Sequence, residues 1–253
     1  MSVEVLKSKV EIAKARRELR RRNLSFTSRG WKRLVRKLGI SDGIEVGDEL
    51  KSWDVLRTVE FIESNVPKNA PILDIGAFAS ELPCILNGLH YSNVAGIDLN
   101  PNIKKMPFAG AIRYEVSDFT STPFESESFQ AITAISTIEH GFNSELLLKE
   151  VSRLLRPGGF FVASFDYWPD KVDTSGVHVF GMDWRIFSKQ EVSAFLNEAI
   201  EYKLSPHGEL DFSSLEKAIH CAQRHYTFAW LALQKTIPVR QDPDTAHSLV
   251  LAN

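Results

Sequence analysis

Ile72-Leu73-Asp74-Ile75-Gly76-Ala77-Phe78-Ala79-Ser80 and, a short way on, Val94-Ala95-Gly96-Ile97-Asp98-Leu99-Asn100 decide the fold. Ile72–Ile75 and Val94–Leu99 read as short apolar strands of the buried, parallel type. Between them Ser80 offers an N-cap, Pro83 suits a first helical turn and Gly88 marks a helix end. Strand, tight turn, helix, strand is the opening unit of an α/β fold, whose ligands bind outside the carboxyl ends of the strands. Gly76 lets the backbone turn and approach a ligand. Asp98 lies 22 residues after Gly76 and ends the second strand. There a carboxylate can accept two ribose hydroxyls at once.

The loop after Gly76 separates two ligand classes. A dinucleotide site wants further glycines, so that a pyrophosphate can reach the helix N-terminus. Ala77, Phe78, Ala79 and Ser80 stand there instead, with no Lys or Arg. This favours an adenosine ligand without phosphates. Asp74 then sets negative charge near a cationic end of that ligand, orients the loop through backbone N–H groups, or does both.

The alternation continues outward. Ile112–Val116 and Phe129–Ser136 read as strands, Ser144–Leu155 as a helix with Leu146, Leu147, Val151 and Leu154 inward. Pro157-Gly158-Gly159 turns into a strand over Phe160–Phe165. Ser188–Ala199 is a helix with capping-box spacing between Ser188 and Glu191, and Tyr226–Gln234 is a last strand. Upstream, residues 3–22 read as a helix with Val3, Leu6, Val10 and Ala13 on one stripe. A short basic amphipathic piece lies between Gly30 and Gly39. A firmer helix spans Asp48–Asn65, with Val55, Leu56, Val59, Ile62 and Val66 on one face. The expected organisation is a basic helical cap over 1–66, an α/β domain over 67–236 and a flexible tail over 237–253.

These motifs, taken in order, resemble class I S-adenosylmethionine-dependent methyltransferases. The resemblance rests on Leu73-Asp74-Ile75-Gly76-Ala77, Asp98, Ser117-Asp118-Phe119, Phe129–Ser136, Ile138-Glu139-His140 and Leu154-Leu155-Arg156-Pro157-Gly158-Gly159-Phe160. It covers roughly residues 70–235, with a loose resemblance to members from bacterial polysaccharide pathways. It implies a Rossmann-like, seven-stranded, mostly parallel sheet with the last strand antiparallel, and S-adenosyl-L-methionine as cofactor. It further implies that Asp74, Gly76, Ala77, Asp98, Leu99, Asp118, Phe119, Ser136 and Thr137 line the cofactor. Asp118 stands where the family reaches the adenine amino group, and Ser136 and Thr137 stand at the methionine end. Phe78 departs from the glycine that many members carry.

Methyl transfer needs an aligned acceptor and, for a hydroxyl or amine, removal of a proton. His140 and Asp166, each just beyond a strand, are the catalytic candidates, with a loop-orienting role open for His140. The long aromatic and polar segment after the fifth strand carries Tyr167, Trp168, His178, Trp184 and Arg185 as acceptor-binding candidates, since flat apolar faces beside fixed polar groups suit sugars. Its alternative is a loop packed on the helical cap. His178, Asp173 and Asp183 have no spacing that makes a metal site.

Composition sets limits. The chain has 253 residues, 43% hydrophobic and 25% charged, ordinary values for a globular protein. No apolar run is long enough to span a membrane, and Cys84 and Cys221 match no metal or redox spacing, so a cytoplasmic location is expected. Residues 1–40 hold thirteen Lys and Arg against Glu4, Glu11 and Glu18, while the whole chain carries a formal charge of −2. Such an arm fits an anionic acceptor, or else docks on the acidic remainder. Nucleic acid is disfavoured, because aromatic residues do not alternate with these charges. The function expected is O-methylation of a small polar acceptor such as a sugar, sugar nucleotide or glycan precursor, with a homodimer allowed. A Rossmann-type nicotinamide-dependent reductase or epimerase, or a nucleic-acid methyltransferase using the basic arm, are the alternatives.

Overall fold

The computed structural model describes residues 2–27 and 44–237. The basic piece between Gly30 and Gly39, and the tail beyond residue 237, lie outside the described residues. The chain forms a central sheet with helices on both faces. Its strands are β1 (Val3–Val5), β2 (Pro71–Ile75), β3 (Asn93–Asp98), β4 (Arg113–Val116), β5 (Phe129–Ile135), β6 (Leu155–Tyr167), β9 (Leu204–Pro206), β10 (Ile219–Cys221) and β11 (Arg224–Lys235). A separate hairpin pairs β7 (His178–Val179) with β8 (Met182–Asp183). The main path runs β1-β11-β6-β5-β2-β3-β4, with β9 and β10 also paired to β11. Strands β2 to β6 are mutually parallel, and β11 runs antiparallel to β6. The expected mostly parallel α/β sheet with an antiparallel last strand is present.

Two helical layers cover it. On one face lie α1 (Lys9–Arg21), α2 (Ser52–Asn65) and α3 (Leu82–Gly88), packed with Ile72, Ala131, Val162 and Phe228. On the other lie α4 (Ser144–Leu154) and α5 (Lys189–Glu201), packed with Leu73, Ile132, Phe161 and Leu231. The alternation of Ile72 and Leu73 between the two clusters is the period-2 pleat of a strand buried on both faces. The capping box on α5 forms as read, with the Ser188 hydroxyl accepting from the Glu191 N–H and the Glu191 carboxylate accepting from the Ser188 N–H. The apolar face of α2 is also as read, with Val55, Leu56, Val59, Ile62 and Val66 all buried.

The N-terminal segment differs from the reading of one helix over 3–22. Val3–Val5 pair antiparallel with Leu231, Trp230 and Ala229, closing the exposed edge of β11. The helix begins at Lys9, and its buried face is Ile12, Ala15, Arg16 and Leu19, while Val10 is exposed. The stripe through Val3, Leu6, Val10 and Ala13 fails because its first member belongs to the sheet. On α4, Leu146 faces outward rather than inward.

Arg16 explains the rotated face. It is 4% exposed and sends Nε to Ser52 Oγ (2.8 Å), Nη1 to Ser25 Oγ (3.0 Å) and to Glu81 Oε2 (3.1 Å), and Nη2 to Asp48 O (3.0 Å) and Glu81 Oε1 (2.6 Å). A guanidinium can be buried only when its donors are matched this fully. Lys7 pairs with Asp211, Arg20 with Glu49, Arg21 with Glu18 and Arg22 with Glu63. Much of the described basic arm is thus neutralised within the chain, which is the docking alternative.

Candidate active site at the carboxyl edge of β2 to β6

The carboxyl ends of β2 and β3 carry the turn and the acid that the motif required. Gly76 has φ +70°, and a Cβ there would lie 2.2 Å from Thr137 Oγ1. The Thr137 hydroxyl sits in the space a side chain would fill, within hydrogen-bond reach of the Ile75 (3.3 Å) and Ile135 (3.2 Å) carbonyls. The ends of β2 and β5 are therefore locked together at the point where the loop begins. Gly96 has the same role one strand over, since a Cβ would meet Ala77 Cβ at 2.8 Å and the Tyr114 ring at 3.0 Å. The buried Ala77 donates its N–H to the Ile97 carbonyl (3.0 Å).

Asp98 is half-buried and accepts from the backbone N–H of Asn100 (Oδ1, 2.8 Å) and Phe78 (Oδ2, 3.1 Å). Carboxylate oxygens have further lone pairs, so ribose hydroxyls can be added to this arrangement. Leu99 beside it is exposed. Asp118 is exposed, its Oδ1 held by the Thr120 N–H (2.8 Å) and hydroxyl (2.7 Å), and Phe119 packs half-buried next to it. The Ser117 N–H donates to the Asp98 carbonyl (3.0 Å), fixing the two acids to adjacent strand ends. The Phe78 side chain packs into the layer of α1 to α3, so the departure from glycine is absorbed by that core. Two acids flanking apolar side chains, beside a loop without cations, fit an adenosine that carries no phosphate.

Asp74 is 1% exposed. Its Oδ1 accepts from Thr133 Oγ1 at 2.6 Å, and burial pushes its carboxyl up to about 7, with Thr133 and Ser80 opposing the shift. It braces β2 against β5 through a side-chain hydroxyl, where the loop-orienting reading had expected backbone N–H groups.

Further along the edge lies an inner polar pocket that the sequence reading only partly found. Lys51, at the end of the 3-10 turn Glu49–Lys51, donates Nζ to Ser136 Oγ (2.5 Å) and stands 3.9 Å from the centre of the Phe228 ring. The Ser136 N–H lies 3.2 Å from Ser164 Oγ, and that hydroxyl donates to Asp54 Oδ2 at 2.9 Å. Asp166, at the end of β6, accepts from Trp184 Nε1 at 2.7 Å. Glu139 and His140 follow β5. Asp54, Glu139 and Asp166 are all buried. Burial pushes Asp54 up to about 6, opposed by Lys51 and Ser164. It also raises Glu139 well above the carboxylate range, reinforced by the charge of Asp166, and raises Asp166, with Lys51 opposing. Burial, with the Lys51 charge behind it, lowers His140 to about 4, so its imidazole is neutral at physiological pH.

Of the predicted acceptor-binding residues, only Trp184 reaches this pocket. Tyr167 is fully buried on the opposite face of the sheet and donates its hydroxyl to the Phe212 carbonyl (3.0 Å). His178 is exposed on the β7-β8 hairpin, 3.1 Å from Asp183. Arg185 packs over Phe142 and Phe187, while its N–H donates to the Glu139 carbonyl (2.9 Å). Trp168 is half-buried beneath Lys217. Lys51 and Asp54 were missed because they precede the first strand of the motif. The available signal was an Asp on the buried stripe of a helix, four and eight residues before Thr58 and Ile62.

The Methyltransferase domain family matches residues 73–163, which span the strand ends described above. Over these residues the chain is similar to methyltransferase domains, the likeness that the motifs at the strand ends implied. It is 28% identical over 106 residues to sterol methyltransferase-like 3 of Botryococcus braunii, a stretch of 39% of this chain and 27% of that protein. It is 28% identical over 100 residues to an O-methyltransferase of Penicillium expansum, 36% of each chain. The matches thus span about a third of the length of these curated relatives. In fold, the chain superposes on a SAM-dependent methyltransferase from Methanosarcina mazei with a TM-score of 0.54 and 18% identity, over 70% of this chain and 98% of that one. Among the described residues no helix is long and apolar enough to cross a membrane, and no group of three His, Cys, Asp or Glu is placed to hold a metal ion.

Proposed function

We propose that this chain transfers the methyl group of S-adenosylmethionine to a small polar acceptor held in the inner pocket. The carrying observation is the junction at Ser136 and Thr137, where the adenosine-type edge of β2 to β4 meets the Lys51, Asp54, Glu139 and Asp166 cluster. The cofactor supplies an electrophilic methyl on a sulfonium. Asp98 and Asp118 would take the ribose and the adenine amino group, with Leu99 and Phe119 flanking the base and Gly76 to Ala77 passing close to the ligand. Ser136 and Thr137 end at the methionine side.

For the acceptor, Asp166 and His140 divide the work by their protonation. His140 is neutral and a weak base, so it serves as a hydrogen-bond partner that aligns the nucleophile. Asp166, whose carboxyl burial raises above the ordinary aspartate value, is the better proton acceptor of the two. The relatives act on both carbon and oxygen acceptors by their names, so the acceptor is read from the pocket. A hydroxylated acceptor such as a sugar or glycan precursor is the finer reading, resting on Trp184 beside Asp166 and on the 178–183 hairpin, whose Phe180 ring meets His140.

Calorimetry tests the cofactor half. S-adenosylhomocysteine should bind, NAD(P) should not, and Asp98→Ala should weaken that binding by about 1–3 kcal/mol, the range for a hydrogen bond to a charged group. Tight NAD binding without a response to the homocysteine compound would sink the proposal.

A further inference from the structure

The inner pocket holds more buried acceptor capacity than the chain itself satisfies. Asp54 Oδ1, Glu139 Oε2, Asp166 Oδ1 and His140 Nδ1 are buried without a hydrogen-bond partner among the described residues. Asp54 is fully buried, Glu139 is 1% exposed and Asp166 4%. They come from separate elements, α2, the segment after β5 and the end of β6, and all feel the charge of one ammonium, that of Lys51. Lys51 is itself engaged by Ser136 and the Phe228 ring, so it offers little to the three open carboxylate oxygens. Buried polar atoms are normally paired, and an orphan costs the desolvation it never recovers. Three orphan oxygens, of which those of Asp54 and Glu139 lie on acids repelled by Asp166, mark a place prepared for a donor that arrives from outside.

The chemistry of that donor follows from the set. Burial and mutual repulsion disfavour the charged forms of these three acids, which face one lysine, so a partner that brings N–H donors together with positive charge would stabilise them as accepting carboxylates. A neutral polyol supplies donors alone. An ammonium group supplies three donors and the charge together. His140 stands on the outer side of this set, its ring meeting that of the exposed Phe180 edge-on at 5.3 Å.

Resting on the methyl-transfer reading, we propose that the acceptor carries a protonated amine, and that Asp54 and Glu139 form the subsite that binds it. The subsite sets which acceptors are taken and leaves open which atom receives the methyl.

The test uses the full chain saturated with S-adenosylhomocysteine and three matched pairs of probes at constant ionic strength. The pairs are glucosamine and glucose, ethanolamine and ethylene glycol, putrescine and 1,4-butanediol. Thermal stabilisation is titrated for each. At least one amine should protect at a concentration about tenfold or more below its hydroxyl counterpart, and Asp54→Asn and Glu139→Gln should each remove that preference. Equal protection by the alcohols, protection by none of the three amines, or a preference unchanged in both variants overturns the amine subsite. Homocysteine-compound affinity is measured in every sample. If it is retained while the amines fail, only the subsite falls; if the wild type does not bind it, the methyl-transfer reading falls first. Should a variant not fold, the wild-type comparison of amine with alcohol decides alone.

Discussion

Gly76 shows how a single hydrogen in place of a methyl group fixes a site. Its positive φ would cost an L side chain about 1–2 kcal/mol, and the Thr137 hydroxyl already fills the position of a Cβ. Gly76→Ala should therefore unfold at lower urea and lose homocysteine-compound binding. Adding Thr137→Ala should recover the steric part and leave the φ cost, a non-additivity that a double-mutant cycle on denaturation reads directly. Equal losses in the single and double variants would place the clash elsewhere. Asp54 carries a pH signature of a definite sign. Its folded pKa, about 6, is above that of an ordinary Asp, so its contribution is complete below pH ~4 and is lost as pH rises toward 6. Relative to the wild type, Asp54→Asn should be more stable at pH 8 than at pH 4, by an amount on the order of 1–3 kcal/mol. Denaturant midpoints at the two pH values check this. His140 runs the other way, its folded value of about 4 favouring the fold above the ordinary histidine range and weakening it as pH falls. Its ring carbon signal in NMR should show no titration between pH 8 and 5.5.

Among the elements, the strands around the motif were the most legible. Ile72–Ile75, Val94–Leu99, Phe129–Ser136 and Tyr226–Gln234 emerge as strands within one or two residues at each end, because unbroken apolar runs and their bounding Gly, Pro and Asp are local signals. The capping box on α5 is equally local. The N-terminal segment was not legible, since Val3–Val5 acquire their strand only by meeting Leu231, and Arg16 acquires its burial only by meeting Glu81. Charge counts there left a free basic arm and a docked one equally open. Long-range pairing decides such positions, and no window of sequence contains both partners. The site divides in the same way: the acids at strand ends could be read from motif spacing, whereas Lys51 and Asp54 enter from the helical layer. The Arg16 contact belongs to this scale and carries its own prediction. Breaking a buried pair from one side leaves a bare charge, at a cost of about 3–5 kcal/mol. Arg16→Met should cost that much in urea denaturation, and Arg16→Met with Glu81→Leu should cost far less. Similar losses in both would show that the hydrogen bonds to Ser52, Ser25 and Asp48 dominate.

At the scale of the whole molecule, the helical layer and the sheet edge are not separable from the site. Gly47 donates its N–H to the Ala79 carbonyl of the cofactor loop (2.8 Å), and Phe26 donates its N–H to Glu81 (3.1 Å). The segments before residue 66 therefore brace the loop that faces the cofactor. Removing residues 1–40 should weaken homocysteine-compound binding and lower thermal stability together, by calorimetry and melting. Undiminished cofactor binding in that truncation would mean the brace is dispensable.

The antiparallel match of β1 with β11 has a consequence for the making of the protein. Ser2 bonds Ala232, 230 residues away, and the sheet is not finished until both are present. During translation Val3–Val5 are made more than two hundred residues before their partner in β11. Until β11 emerges they are a short strand with open N–H and C=O groups, and a long loop must close to pair them. Synthesis of β11, rather than the folding of the βαβ units, thus sets the earliest moment at which this edge is sealed, and slowed elongation past β6 prolongs the interval in which nascent chains can pair with one another.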